Sequence, residues 1–127
     1  MSGVLVRFAI GDRHYALPVT HIDEVIRIVA ITPLAGAPPF IEGVINRRGA
    51  VTPVIDLRKR NGVSPGPFDT TTHILIATVR GRSTGLIVDD VRDVGGTDDV
   101  GETVMLLDPE TILTEAEGQA FDATQIP

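Results

Sequence analysis

Residues 40–57 read Phe40-Ile41-Glu42-Gly43-Val44-Ile45-Asn46-Arg47-Arg48-Gly49-Ala50-Val51-Thr52-Pro53-Val54-Ile55-Asp56-Leu57. Two apolar, β-rich runs flank Asn46-Arg47-Arg48-Gly49, which predicts a hairpin closed by a short loop. In this reading Asn46 and Gly49 supply the left-handed backbone that such loops demand. Pro53 has no N–H to give a ladder, so it marks a sheet edge or a bulge.

The same period-2 signal extends upstream. Val4, Val6, Phe8 and Ile10 fall on one face of a strand, Gly11-Asp12 marks a turn, and His14 to Leu17 returns as a second hairpin arm. From Pro18 to Ile26 the period changes. Val19, Ile22 and Ile26 stand three and four apart, which predicts a short helix capped by Thr20. Residues 27–31 read as extended, and 33–39 as a stiff Pro/Gly loop.

Downstream, residues 59–69 form a Gly/Pro-rich connection, the expected lobe boundary. Residues 73–79 and 84–88 are β runs joined by the turn Arg80-Gly81-Arg82-Ser83. Val91 and Val94 continue toward Gly95-Gly96, an acidic linker covers 97–102, and 103–107 is a further strand. Asp108-Pro109-Glu110 is a helix start: a cap, a proline at the first helical position, and an acid near the positive helix end. Ile112 and Leu113 anchor that helix, and residues 118–127 read as a frayed tail. Many short strands with little helix predict a mainly β fold of small barrels or a sandwich.

Composition narrows the function. The chain has 127 residues, 43% hydrophobic and 22% charged, enough for one domain with a real core. It has no cysteine, which excludes disulfides and thiolate chemistry. A net charge of -6 and 4% aromatics argue against nucleic acid and anionic membrane as partners. No run reaches the roughly 18 apolar residues of a membrane span, and the N-terminus lacks a signal-peptide layout, so a cytoplasmic location is expected.

Catalytic patterns do not emerge. His14, His21 and His73 lack a tight ligand spacing, so surface or structural roles are expected. Asp89-Asp90 and Asp98-Asp99 are adjacent pairs, and neighbours on a strand point to opposite faces. They read as solvated loop acids. No phosphate loop or nucleophile elbow occurs. No metal, cofactor or enzyme activity is expected. Arg47, Arg48, Arg58, Lys59 and Arg60 would gather into a basic patch if the two strands pair around the loop, suited to a carboxylate or phosphate.

Residues 40–57 also resemble the signature of the CheW family: an apolar stretch, Gly-Val-Xaa-Asn-Xaa-Arg-Gly, then a strand with an inner proline ending in Asp-Leu. Phe8-Ala9-Ile10-Gly11 with Tyr15-Ala16-Leu17-Pro18 is similar to the family's first hairpin. Ile22-Asp23-Glu24-Val25-Ile26 resembles its following helix. Gly85-Leu86-Ile87-Val88-Asp89-Asp90-Val91 resembles a strand of its second lobe, and Val104-Met105-Leu106-Leu107-Asp108 its late strand. The resemblance covers residues 4–114. It implies two SH3-like β-barrel subdomains, a first lobe at about 14–64 and a second at about 65–114. The strand 4–10 would pack between or onto them, with 115–127 as a tail.

The resemblance further implies a non-catalytic scaffold that couples methyl-accepting chemoreceptors to the regulatory domain of a CheA-type histidine kinase. The family's receptor groove maps onto Ile22, Glu24 and Val25 on the expected helix, Gly43 beside it, and Arg48 in the Arg-Gly turn. Gly43 would admit a partner backbone, Ile22 and Val25 would give apolar contact, and Arg48 would meet a carboxylate or serve the lobe structurally. One departure stands out. Only residues 91–103 lie between Asp90 and Val104, so the second lobe is expected to lack roughly 20 residues and to leave an open edge. That edge would favour a homodimer, and a shortened regulator binding one partner is the rival to a full coupler. A small metal- or nucleotide-dependent enzyme using Asp89, Asp90 or His73 is the reading from another class.

Overall fold

The computed structural model describes residues 3–60, 62, 66–96 and 104–123. It is mainly β. The strands are β1 (Val4–Ile10), β2 (Arg13–Pro18), β3 (Ile22–Arg27), β4 (Ile41–Arg47), β5 (Ala50–Asp56), β6 (His73–Val79), β7 (Arg82–Val88), β8 (Asp90–Gly96) and β9 (Met105–Leu106). Two short α-helices follow, α1 (Leu57–Arg60) and α2 (Glu115–Ala123).

The strands form two mixed sheets. One has the order β8-β1-β2-β9, the other β3-β6-β7-β5-β4. These sheets do not coincide with lobes at about 14–64 and 65–114. β6 and β7 join the sheet of β3 to β5, while β1 and β2 belong with β8 and β9. Pairing crosses the 59–69 connection because β5 lies parallel to β7, from Val54↔Gly85 to Asp56↔Ile87.

Both faces of the five-stranded sheet are buried. Leu75, Ala77, Val79, Leu86 and Val88 face Val6, Phe8, Tyr15 and Leu17 of the four-stranded sheet in one core. Ile74, Ile76 and Ile87 face the other way and pack with Ile45 and Val54 inside the curled sheet. This double burial explains why β6 and β7 read as nearly continuous apolar runs instead of alternating ones.

Three tight turns carry the hairpins. Gly11 takes φ 60 in the β1–β2 turn. The β4–β5 turn is Arg48-Gly49 at φ 54 and 82, and the β6–β7 turn is Arg80-Gly81 at φ 52 and 73. Positive φ at both central residues is the type I′ pattern whose twist suits a two-residue hairpin. The left-handed residue before Gly49 is therefore Arg48 and not Asn46. Asn46 serves otherwise, its Oδ1 accepting from the Gly49 N–H at 3.0 Å.

Other expectations shift with tertiary context. Residues 19–21 make one 3-10 turn, and the expected helix over 22–26 is instead strand β3. Its residues alternate half-buried and exposed, and it pairs with β6 from Ile22↔Ala77 to Arg27↔His73. Partner strand pairing overrides the weak helical spacing. β5 is an interior strand, yet Pro53 lies just before its pairing with β7 begins at Val54, so no ladder bond is lost there.

The tail is also revised. Residues 115–123 form helix α2, and Phe121 is fully buried against Phe40. A capping box starts the helix: the Glu117 N–H donates to Thr114 Oγ1 and the Thr114 N–H to Glu117 Oε1. Asp108 caps the preceding 3-10 turn at Pro109–Thr111 through the Glu110 N–H. The acidic linker at 97–102, with Asp98 and Asp99, lies outside the described residues. So does 124–127 of the tail.

Candidate docking site

The five-stranded sheet curls until its two edge strands, β3 and β4, approach one another. The segment after β3 closes part of the gap, since Thr32 and Val44 exchange backbone hydrogen bonds at 2.9 and 2.8 Å. Glu24 closes the rest. It accepts from Arg47 Nε at 2.9 Å and Arg48 Nη2 at 3.4 Å. This three-residue bridge is half-buried at Glu24 and open at Arg48, whose side chain is 75% exposed.

The five sequence-derived residues all fall on the strands or turn beside this gap, in different roles. Ile22 packs partly into the inter-sheet core. Glu24 faces inward to the arginines, while its neighbour Val25 points to the outer face and is 39% exposed. Gly43 is buried, and it is not available to a partner backbone. A Cβ there would stand 2.4 Å from the Thr32 carbonyl oxygen, so the close approach that needs glycine is made by this chain itself. Arg48 is the most exposed of the set. A non-glycine residue held at positive φ costs free energy, which points to a role beyond the turn.

The basic run does not gather into one patch. Arg47 and Arg48 meet Glu24, Lys59 meets Glu42, Arg60 meets Glu117, and Arg58 turns inward. Arg58 carries a buried network that sequence reading missed. Its Nε and Nη2 donate to the two Asp56 oxygens at 3.0 and 2.9 Å, and its guanidinium lies 5.0 Å over the Phe68 ring. Arg58 Nη1 reaches Asp89 at 3.5 Å, and Asp89 accepts from the Gly11 N–H at 2.6 Å. The network thus bolts the end of β5 to the β1–β2 turn across the two sheets. Burial pulls the Arg58 pKa down, but the hydrogen bond and charge of Asp56, helped by Asp89, outweigh it and raise the pKa. The visible signal was Asp56-Leu57-Arg58, whose i, i+2 spacing lets the side chains meet around a strand end.

The acids and histidines are scattered. Asp89 is engaged in the bolt, while Asp90 opens β8. His14 lies on β2, His21 beside Thr20 Oγ1, and His73 Nδ1 is 2.6 Å from the Thr71 carbonyl oxygen. Among the described residues, no three His, Asp or Glu side chains converge as metal ligands, and no helix is long and apolar enough to cross a membrane.

With this geometry, a model of the CheW-like domain matches residues 4–100. The chain belongs to the CheW-like family. It is 39% identical over 90 residues to the Chemotaxis protein CheW of Bacillus subtilis, covering 71% of this chain and 58% of that protein. It is 31% identical over 84 residues to Protein FrzA of Myxococcus xanthus, covering 66% of this chain and 52% of that one. The crystal structure of the scaffolding protein TtCheW from Thermoanaerobacter tengcongensis superposes with a TM-score of 0.69 at 39% identity. That match covers 74% of this chain and 64% of TtCheW. The chain therefore spans less than two thirds of these CheW-like relatives.

Proposed function

We propose that this CheW-like chain is a non-catalytic cytoplasmic scaffold that couples a chemoreceptor tip to the regulatory domain of a CheA-type histidine kinase. The observation that carries the reading is Arg48. It is an exposed arginine at a strained hairpin tip, in contact with Glu24 of β3, the strand that also carries exposed Val25. A fixed cation beside a small apolar step suits a partner helix bearing a carboxylate. The names of the related proteins, chemotaxis protein and scaffolding protein, support the same reading. In this role Glu24 positions Arg48, Val25 supplies apolar contact, Ile22 holds β3 against the core, and Gly43 lets Thr32 close the gap.

A second reading has its own support. The four-stranded sheet ends in β9, only two residues long, with Met105 and Leu106 48% and 64% exposed. A short, exposed apolar edge of this kind favours a form that binds one partner, or that pairs with a second copy. A pull-down with immobilised kinase regulatory domain and free receptor tip separates the two. Retention of receptor only when this protein is present supports coupling. Retention of either partner alone, never both, overturns it. Light scattering over a concentration series checks for the second copy.

A further inference from the structure

β5 and β7 run parallel, and their turns lie at the same end of the five-stranded sheet. Their pairing begins only at Val54↔Gly85. Nearer the turns the strands part, and a groove of about 340 Å3 opens between Ala50–Pro53 and Arg82–Ser83. One wall is main chain. In the β4–β5 ladder, Val44 directs its N–H and C=O away from β5, to Thr32. Alternate residues of an antiparallel strand turn their amides to opposite sides. Asn46↔Val51 is two steps from Val44↔Pro53, so Val51 turns its N–H and C=O away from β4 and toward the groove.

Among the described residues, the charged side chains lining this groove are both arginines, Arg47 and Arg82, on a chain with net charge -6. Arg47 gives Nε to Glu24, and among the described residues no hydrogen bond engages its two terminal nitrogens. Arg82 is held in place from behind, with Nη1 donating to the Phe121 carbonyl at 2.8 Å and its guanidinium 4.8 Å over the Phe121 ring. Val51 and Ser83 complete the floor and rim.

We propose that this groove docks an extended acidic segment of a partner protein, laid as an added strand along Val51. Main-chain bonds to β5 supply affinity for an extended backbone, and alternate carboxylates meet Arg47 and Arg82. The groove lies on the β5–β7 side of Arg47, whereas the proposed receptor contact lies on its β3 side. Docking there does not depend on the coupling function.

The probe is an acetylated, fluorescein-labelled peptide of alternating glutamate and valine, with a glutamine-for-glutamate version as control. Amide shift mapping on the intact protein is expected to centre on Val51, Thr52 and Ser83. Anisotropy is expected to show at least tenfold weaker binding of the glutamine peptide, and loss of affinity as salt rises. Ser83→Trp fills the groove at an exposed position and is expected to weaken binding at least tenfold with an unchanged melt. Ala50→Trp serves the same purpose if Ser83→Trp does not fold. Equal binding of the two peptides overturns the proposal, as do shifts centred on β3, indifference to both tryptophans, or no binding at millimolar peptide.

Discussion

Replacing Arg48 with asparagine separates stability from recognition at one position. Arg48 sits at φ 54 as the first central residue of a type I′ turn. A left-handed backbone costs an ordinary L-residue about 1–2 kcal/mol, and asparagine much less because its short amide bonds locally. Against that gain stands the Arg48–Glu24 contact, 3.4 Å long with the arginine 75% exposed, a class of pair worth about 0–1 kcal/mol. Glu24 keeps Arg47 at 2.9 Å, so no carboxylate is orphaned. The net expectation is a gain of about 0.5–1 kcal/mol, read as a rise of roughly 2–5 °C in melting temperature. Urea melts by circular dichroism at constant slope measure it. Receptor-tip affinity of the same variant, by calorimetry, is expected to fall at least tenfold. Stability lost by more than 1 kcal/mol would mean that Arg48 is held in place by contacts worth more than its strain. Undiminished affinity would remove it from the interface.

Further expectations follow from the buried groups. Arg58→Ala strands the buried Asp56 carboxylate and should cost about 3–5 kcal/mol, while Asp56→Asn combined with Arg58→Met should cost markedly less. Equal losses in denaturant melts would contradict the ion-pair account. Phe121→Ala removes a fully buried ring and should cost about 3–5 kcal/mol, against nearly nothing if α2 were frayed in solution. Gly43→Ala drives a methyl into the Thr32 carbonyl and should cost about 1–3 kcal/mol, visible as faster amide exchange at Val44. Burial pushes the Glu117 pKa up, but Arg60 and the Thr114 amide outweigh it and hold the carboxyl below its usual range. A lowered folded pKa stabilises above the unfolded value, about 4.3, and that contribution is lost as pH falls through the folded one. Acid titration of α2 resonances by NMR should show loosening below that point, and Glu117→Gln should flatten it.

Much of the fold was readable along the chain. The hairpins β1–β2, β4–β5 and β6–β7 each follow from β-rich runs on either side of a Gly-bearing turn, a purely local relation. Thr114-Glu115-Ala116-Glu117 also carried a capping-box pattern from which helix α2 was predictable. Of the site, Glu24 and Arg48 were named together by family pattern, but the contact between them, and Arg47 in it, was not legible.

Local sequence therefore determined where chain reversals fall and which runs are β, because turn backbone and side-chain period act between near neighbours. Only the tertiary structure decided the rest. β3 became a strand because β6 offered it a ladder. Gly43 closed onto Thr32 because the sheet curled. Arg58 went inward because Asp56 and Asp89 met it between two sheets. Each of these depends on at least one partner distant in sequence (β6 for β3, Thr32 for Gly43, Asp89 for Arg58), whose approach is set by burial of both faces of one sheet and not by local propensity alone.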